Sequence, residues 1–286
     1  MRVLVAGATG VIGRQLLPLL EAVGHEVIPF SRAMADALDH DATVKAVRHA
    51  APDAVVHLLT AIPAKVDPKR FAEQFAMTNR LRTEATRNLI DGAPDARFLV
   101  QGLAYAYEPG EGLADEDAPL WADPPKQFRP ARDALRELEL LTARARGLVL
   151  RFGHLYGPGT FYAEDGSTAE LVRAGRMPIV GDGHGVYSFT HTHDAATAVV
   201  AALDRDVTGA LNVVDDTPLP VREWLPAYAR RLGAPAPKRV PEFLARIAAG
   251  GWGVAYMNHL RGADNCRARL QLNWRPRYAS FLDEQA

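Results

Sequence analysis

Apolar residues in the first half of the chain come in short unbroken runs, separated by stretches of helical spacing. Val3–Ala6, Glu26–Phe30, Ala54–Leu59, Arg97–Val100 and Leu148–Arg151 are four to six residues long. A strand that is apolar on successive positions buries both of its faces, which marks a parallel sheet covered by helices on each side. Between these runs, Arg14–Val23 places Leu16, Leu17, Leu20 and Val23 on one helical face and stops at Gly24. Ala42–Ala51, Phe71–Ile90 and Ala131–Arg146 also have helical spacing. Strand and helix in alternation predict an α/β fold with a doubly wound parallel sheet and right-handed crossovers. The second half is less regular, with helices predicted near Thr168–Ala174, Asp194–Leu203, Val221–Leu232 and Pro241–Ala249. The Gly- and Pro-rich stretches 109–130 and 157–166 read as loops, the first long enough to form a lid or wall.

One junction in this pattern carries chemistry. Gly7, Gly10 and Gly13 lie between the first strand and the first helix. In such a turn the first glycine permits the tight bend, the second lets a diphosphate approach the backbone, and the third lets helix and strand pack closely. The helix amides and dipole then stabilise the anion. Thr9, Val11 and Ile12 complete the cradle. Ser31 and Arg32 stand at the end of the second strand, Arg32 nineteen residues beyond Gly13. An acidic residue there would hold the ribose hydroxyls of NAD. A serine and a guanidinium suit a 2′-phosphate instead, so NADP(H) is expected in preference to NAD(H).

Composition narrows the function classes. The 286 residues are 48% apolar and 23% charged, which excludes a disordered, collagen-like or coiled-coil chain. Thirty-three basic against 34 acidic residues give a net charge of −1, so no nucleic-acid or acidic-membrane surface is expected. The single cysteine, Cys266, excludes an internal disulfide framework and a Cys-based zinc site. With neither a signal peptide nor a run of about 18 apolar residues, a cytoplasmic protein is expected.

These segments together resemble the short-chain dehydrogenase/reductase superfamily in its extended, epimerase/dehydratase-like branch. Gly-Ala-Thr-Gly-Val-Ile-Gly at 7–13 is similar to that branch's glycine signature. Asp36-Ala37 resembles its adenine-contacting pair, and His57-Leu58-Leu59-Thr60-Ala61 sits where the family runs its backbone past the cofactor, with Leu58, Leu59 and Thr60 as the expected contacts. Asn79 resembles the family's helix asparagine. Leu150–Gly159 is similar to the segment Arg-x-x-x-x-Tyr-Gly-Pro-Gly, Phe189–Asp194 to Phe-x-His-Val-x-Asp, and Gly209–Val213 to Gly-x-x-Asn-Val. The resemblance implies a Rossmann-like core over residues 1–152. It also implies a smaller substrate-binding region over 153–286 that interleaves with the core, and cofactor contacts that include Gln101, Phe152 and Gly153.

The family's usual proton relay is absent. It needs Ser or Thr after the strand that here reads Leu99-Val100-Gln101-Gly102-Leu103, then Tyr-x-x-x-Lys on the next long helix. Aligned on Glu139, Ala131 falls at the tyrosine position and Leu135 at the lysine; aligned on Arg132, Phe128 falls at the tyrosine position; neither register restores the motif, and no Tyr-x-x-x-Lys occurs anywhere. Gln101, Tyr105 and Tyr107 are the remaining catalytic candidates beside the expected nicotinamide position. Gly102, Trp121, Phe128, His154, Trp252 and Tyr256 are candidates for lining a flat hydrophobic substrate, and Arg132 or Arg136 for lying near ribose or substrate. His191 and His193 would share one strand face if that strand is regular, with Asp194 capping a helix from about Ala195; no metal is expected there.

The chain is similar in particular to ketoreductases of aromatic polyketides. The expected function is NADPH-dependent reduction of a ketone on a bulky aromatic secondary metabolite. Hydride would come from nicotinamide C4 and the proton from substrate or water, with a small aromatic molecule as the partner. A non-redox cyclase, dehydratase or epimerase, and a cofactor-sensing binding protein, are the alternatives.

Overall fold

The computed structural model describes residues 1–283. Its core begins β1 (Arg2–Ala6), α1 (Gly13–Ala22), β2 (Glu26–Phe30), α2 (His40–Ala50) and β3 (Ala54–His57). A broken helical stretch follows: a single 3-10 turn over Pro68–Arg70, α3 (Phe71–Gln74), α4 (Ala76–Arg80), a π-helical turn over Leu81–Ala85, and α5 (Thr86–Gly92). Then come β4 (Arg97–Leu103), α6 (Arg129–Arg144) and β5 (Leu148–Phe152). The second half adds β6 (His154–Tyr156), α7 (Ser167–Arg173), β7 (Ile179–Val180), β8 (Val186–Tyr187), β9 (Phe189–His191), α8 (Thr192–Leu203) and β10 (Gly209–Val213). It closes with β11 (Leu219–Pro220), α9 (Val221–Arg231), β12 (Arg239–Val240), α10 (Glu242–Asn258) and α11 (Cys266–Leu272).

Six strands form one sheet in the order β10-β5-β4-β3-β1-β2, every pair parallel. Alternation along the strands feeds two apolar layers. Val3, Val5, Val56, Leu150 and Val213 pack with Leu16 and Leu20 of α1, Val199 of α8 and Leu272 of α11. Leu4, Ala6, Val55, Phe98 and Val149 face the other way, onto Val47 of α2, Leu89 of α5 and Leu138 of α6. The chain leaves β1 toward β2 on one side and returns to β3 on the other. The carboxyl ends of β1 and β3 therefore flank the switch-point crevice, where such sheets bind ligands.

A third layer is aromatic. Tyr156, Tyr162, Tyr187, Phe189, Trp224, Tyr228 and Phe281 are almost fully enclosed between α7, α9 and the short strands. Phe128, Ala131 and Leu135, from the start of α6, belong to the same cluster.

Five local expectations are revised. The helix predicted over 71–90 is interrupted at Phe75 (φ −97°, ψ 3°) and then changes register, without breaking, through the π-helical turn over Leu81–Ala85. The strand predicted to Leu59 ends at His57. The helix predicted to stop at Ala249 continues to Asn258 through a kink at Gly250 (φ 72°), so Trp252 and Tyr256 are helical. His191 closes β9 whereas His193 lies in α8, so the two do not share a strand face. The α8 helix also starts at Thr192, and Asp194 accepts from the Arg277 and Tyr278 amides instead of capping it. Among the described residues, no helix is long and apolar enough to cross a membrane.

Candidate active site

The glycine turn is built for close backbone approach. Gly7 has φ 99°, and a Cβ there would lie 2.8 Å from the Leu58 carbonyl carbon and oxygen. A Cβ on Gly13 would lie 2.4 Å from the Gly7 carbonyl oxygen. Only glycine meets both demands without moving β3 or the turn. The Gly10 amide donates to Gly7 O at 3.0 Å and Arg14 Nε to Thr9 O at 2.7 Å, which fixes the loop. Thr9 and Gly10 are exposed, Val11 is half-buried, and Ile12 is buried beneath them. The first turn of α1 carries no acidic side chain and no side-chain cap, so its free amides face an anion without competition. The turn thus fits a dinucleotide diphosphate.

On the β2 side, Ser31 and Arg32 are exposed, and the Ser31 carbonyl turns the chain by accepting from Met34 and Ala35. Asp36 accepts from the Leu38 amide at 3.0 Å, and buried Ala37 receives Asn88 Nδ2 on its carbonyl at 2.9 Å. On the β3 side, Leu58 is held to Ala6 O at 2.7 Å and packs under Gly7, while Leu59 and Thr60 emerge toward the crevice. Gln101 is half-buried near the end of β4, in register with Leu150. Phe152 is sealed in the α1 and α8 layer. Gly153 passes so close to Ser188 that a Cβ would stand 2.3 Å from its carbonyl oxygen.

The catalytic candidates separate. Tyr107 is 2% exposed; it donates to Asn212 Oδ1 at 2.6 Å and accepts from Arg151 Nη1 at 2.8 Å. Burial pushes its phenol up to about 12, against the pull of Arg151. Arg151 is itself paired through both Nε and Nη2 with Glu139 at 2.8 Å, so Tyr107 belongs to a closed structural network. Tyr105 is half-buried just past β4 and stacks on His154 at 4.4 Å. His154 stacks in turn on Tyr187 at 4.1 Å, with Tyr256 edge-on at 5.4 Å. His154 Nδ1 donates to Ser188 O at 3.2 Å; burial lowers the ring's pKa to about 3, and its Nε2 has no hydrogen-bond partner among the described residues.

Of the residues expected to line a substrate site, His154 and Tyr256 come together, joined by the catalytic candidate Tyr105. Phe128 and Trp252 stack on each other at 4.1 Å with Trp121 beside them, all three buried. Gly102 faces the neighbouring strand, where a Cβ would lie 2.6 Å from Val149 Cγ1, and lines no open surface. Ala131 and Leu135, at the tyrosine and lysine positions, are each 1% exposed within the aromatic cluster. Arg132 does not reach toward a ribose: its Nη1 holds the Trp121 carbonyl at 2.6 Å and that of Ala122. Arg136 is exposed.

Arg82 was missed, and His57 was read only as part of the segment that passes the cofactor. His57, at the end of β3, donates from Nε2 to Leu81 O at 3.2 Å and accepts from the Leu59 amide on Nδ1. Arg82 lies in the π-helical turn that His57 holds, and is 5% exposed. A periodicity signal marks it: Phe71, Phe75, Thr78, Arg82, Ala85 and Leu89 follow the 4-3-4-3-4 spacing of a buried stripe. Among the described residues no group of three His, Cys, Asp or Glu is placed to hold a metal.

The sequence profile of the NAD dependent epimerase/dehydratase family matches residues 3–213, and the chain belongs to that family. It is thus an enzyme on an extended short-chain dehydrogenase/reductase fold that binds NAD(P). It is 47% identical to a 3-diazoavenalumate denitrifying reductase from a Streptomyces species, across 99% of this chain and 98% of that one. A 2-alkyl-3-oxoalkanoate reductase of Stenotrophomonas maltophilia is 27% identical over 82% of this chain and 77% of its own. Human epimerase family protein SDR39U1 (isoform 2), solved with NADPH, superposes with a TM-score of 0.75 at 24% identity, covering 98% of this chain and 96% of that one.

Proposed function

We propose that the protein is an NADPH-dependent reductase of an aromatic secondary metabolite, and that the group it reduces is a diazo group replaced by hydrogen. The observation that carries this reading is a dinucleotide cradle coupled to apolar Ala131 and Leu135 where the proton relay would stand. Ketone reduction requires a hydride and a proton. An arenediazonium carbon requires only the hydride: the new C–H bond forms, the C–N bond breaks with its electron pair leaving on nitrogen, and dinitrogen departs. A site stripped of its general acid is suited to that acceptor. The activity of the 47% identical relative, a denitrifying reductase of a diazo acid, supports the same choice.

Bound reduced nicotinamide supplies the hydride. The chain's own residues do the rest: the α1 amides hold the diphosphate, Arg32 pairs with the 2′-phosphate, and the Leu58–Thr60 backbone guides the nucleotide past β3. Tyr105 and Tyr256, backed by the His154 ring stacked between Tyr105 and Tyr187, present apolar surface to an aromatic ring and keep water from it. Orientation over the nicotinamide then carries much of the rate.

Ketone reduction is the second reading, and Tyr105 favours it, as the phenol beside the crevice whose side chain makes no hydrogen bond among the described residues. The experiment presents the purified enzyme with C4-deuterated NADPH and either an aryl diazo acid or the matching aryl ketone. Deuterium at the ring carbon that carried nitrogen, with dinitrogen released in step with NADPH consumed, is the expected outcome. Turnover of the ketone alone would replace this reading with the second, and consumption of neither would overturn both.

A further inference from the structure

Arg82 is a cation buried without a counter-charge. It is 5% exposed, and its one side-chain hydrogen bond among the described residues runs from Nη1 to Asn79 Oδ1 at 3.4 Å. The same molecule shows how a buried guanidinium is ordinarily satisfied: Arg151, also 5% exposed, closes two 2.8 Å bonds on the Glu139 carboxylate. Burying a charge unpaired is costly, and natural chains avoid it where nothing is gained. Burial lowers the Arg82 pKa to about 10, which still leaves it protonated at neutral pH. The titratable groups that feel its charge supply no anion: His57 is neutral, lowered to about 4 by burial with a smaller push from Arg82, and burial raises the Tyr105 phenol.

The turn that presents this cation is deliberately held. A π-helical turn displaces backbone carbonyls from the regular ladder, and such turns concentrate at functional sites. Three carbonyls in and just before this turn accept side-chain hydrogen bonds. His57 Nε2 donates to Leu81 O at 3.2 Å, Thr86 Oγ1 to Arg82 O at 2.6 Å, and Thr83 Oγ1 to Asn79 O at 3.2 Å. The position also has meaning. His57 ends β3 and Tyr105 follows β4, so Arg82 lies on the side of the switch point away from β2. The phosphates of a dinucleotide fall at α1 and near Arg32, and its nicotinamide end bears no negative charge. An anion meeting Arg82 therefore arrives with the substrate.

We propose that Arg82 is the receptor for an oxyanion of the aromatic substrate, a carboxylate or a phenolate, and so fixes which end of the ring system enters the site. This rests on the reading of the crevice as a site for an aromatic metabolite, but not on which group is reduced. The cation that α6 lacks at Leu135 is thereby present on a segment that packs against α6.

The test uses binding, which does not depend on turnover. The NADP⁺-loaded protein is titrated with 4-hydroxycinnamate, its methyl ester and its O-methyl ether. The wild type is expected to bind the acid roughly 10- to 100-fold more tightly than the derivative that blocks the contacted oxyanion, the range of one charged hydrogen bond. The ester and the ether separate carboxylate from phenolate. Arg82→Gln should erase that preference and leave NADP⁺ affinity unchanged, and Arg82→Lys should restore part of it. Arg82→Met should melt at a higher temperature than the wild type in the absence of ligand, because it removes an unpaired buried charge; a merely structural arginine would give the opposite shift. Equal binding of all three compounds by the wild type overturns the proposal, as does loss of NADP⁺ affinity with the preference intact. Arg82-dependent acid binding with no hydride transfer to any acceptor would leave the proposal standing and sink the reductase reading.

Discussion

On the proposed reading, cofactor choice rests on single residues at the end of β2. Arg32 is exposed there and follows Ser31, with no carboxylate in the position that would grip two ribose hydroxyls. A guanidinium gains from a 2′-phosphate and gains little from a hydroxyl. Arg32→Ala is therefore expected to weaken NADPH roughly tenfold or more and to leave NADH nearly unaffected, read as two dissociation constants by titration calorimetry. Equal loss for both nucleotides would place the discrimination elsewhere. Gly7 and Gly13 act on both nucleotides alike, because their role is backbone clearance and not charge. Ala131 and Leu135 work at the same scale in reverse. Their burial means that the positions once suited to a phenol and an ammonium are now part of a hydrophobic wall.

At the scale of elements, loops and helix ends carry the site. The segment before α6 is pinned by Arg132, which donates to the Trp121 and Ala122 carbonyls, and by Arg129, which pairs with Asp123 at 2.7 Å. This seats Trp121 against Trp252 and closes one wall of the aromatic layer. Arg132→Ala should destabilise the protein by about 1–3 kcal/mol, the range for hydrogen bonds from a charged donor. It should also speed limited proteolysis within 109–123, and unchanged cleavage would show that the loop holds itself. The parallel strands, the glycine turn and their order were legible in the sequence because each depends on local apolar runs and on clearance that only glycine supplies. The π-helical turn was not. It depends on His57 reaching from β3 to the Leu81 carbonyl, a contact between residues 24 apart that no local pattern encodes. For the same reason Asn79 drew attention and Arg82 did not, although Arg82 occupies an apolar stripe. Trp121, Phe128 and Trp252 were read as walls of a pocket from their size alone. Their burial shows that they pack mainly on one another, while Tyr105 remains half-buried at the crevice.

The molecule as a whole carries an acid sensitivity that follows from its histidines. Burial lowers His57 and His191 to about 4 and His154 to about 3, from an ordinary 6.5. Each is neutral in the folded chain where the unfolded chain would already be protonated. Below pH 6.5 the unfolded state therefore binds more protons, and stability falls as the pH drops toward the folded values. The buried carboxyls of Asp194 and Asp215 oppose this: desolvation raises their pKa, so they take up protons in the folded state first. Between pH 7 and 5, His154 alone accounts for about 2 kcal/mol of lost stability. His154→Phe retains a ring between Tyr105 and Tyr187 but has no site to protonate. Its melting temperature should fall less than that of the wild type over that interval. An identical fall in both proteins would mean that His154 is protonated in the fold already, and that the stacked cluster beside the crevice is wetter than its packing indicates.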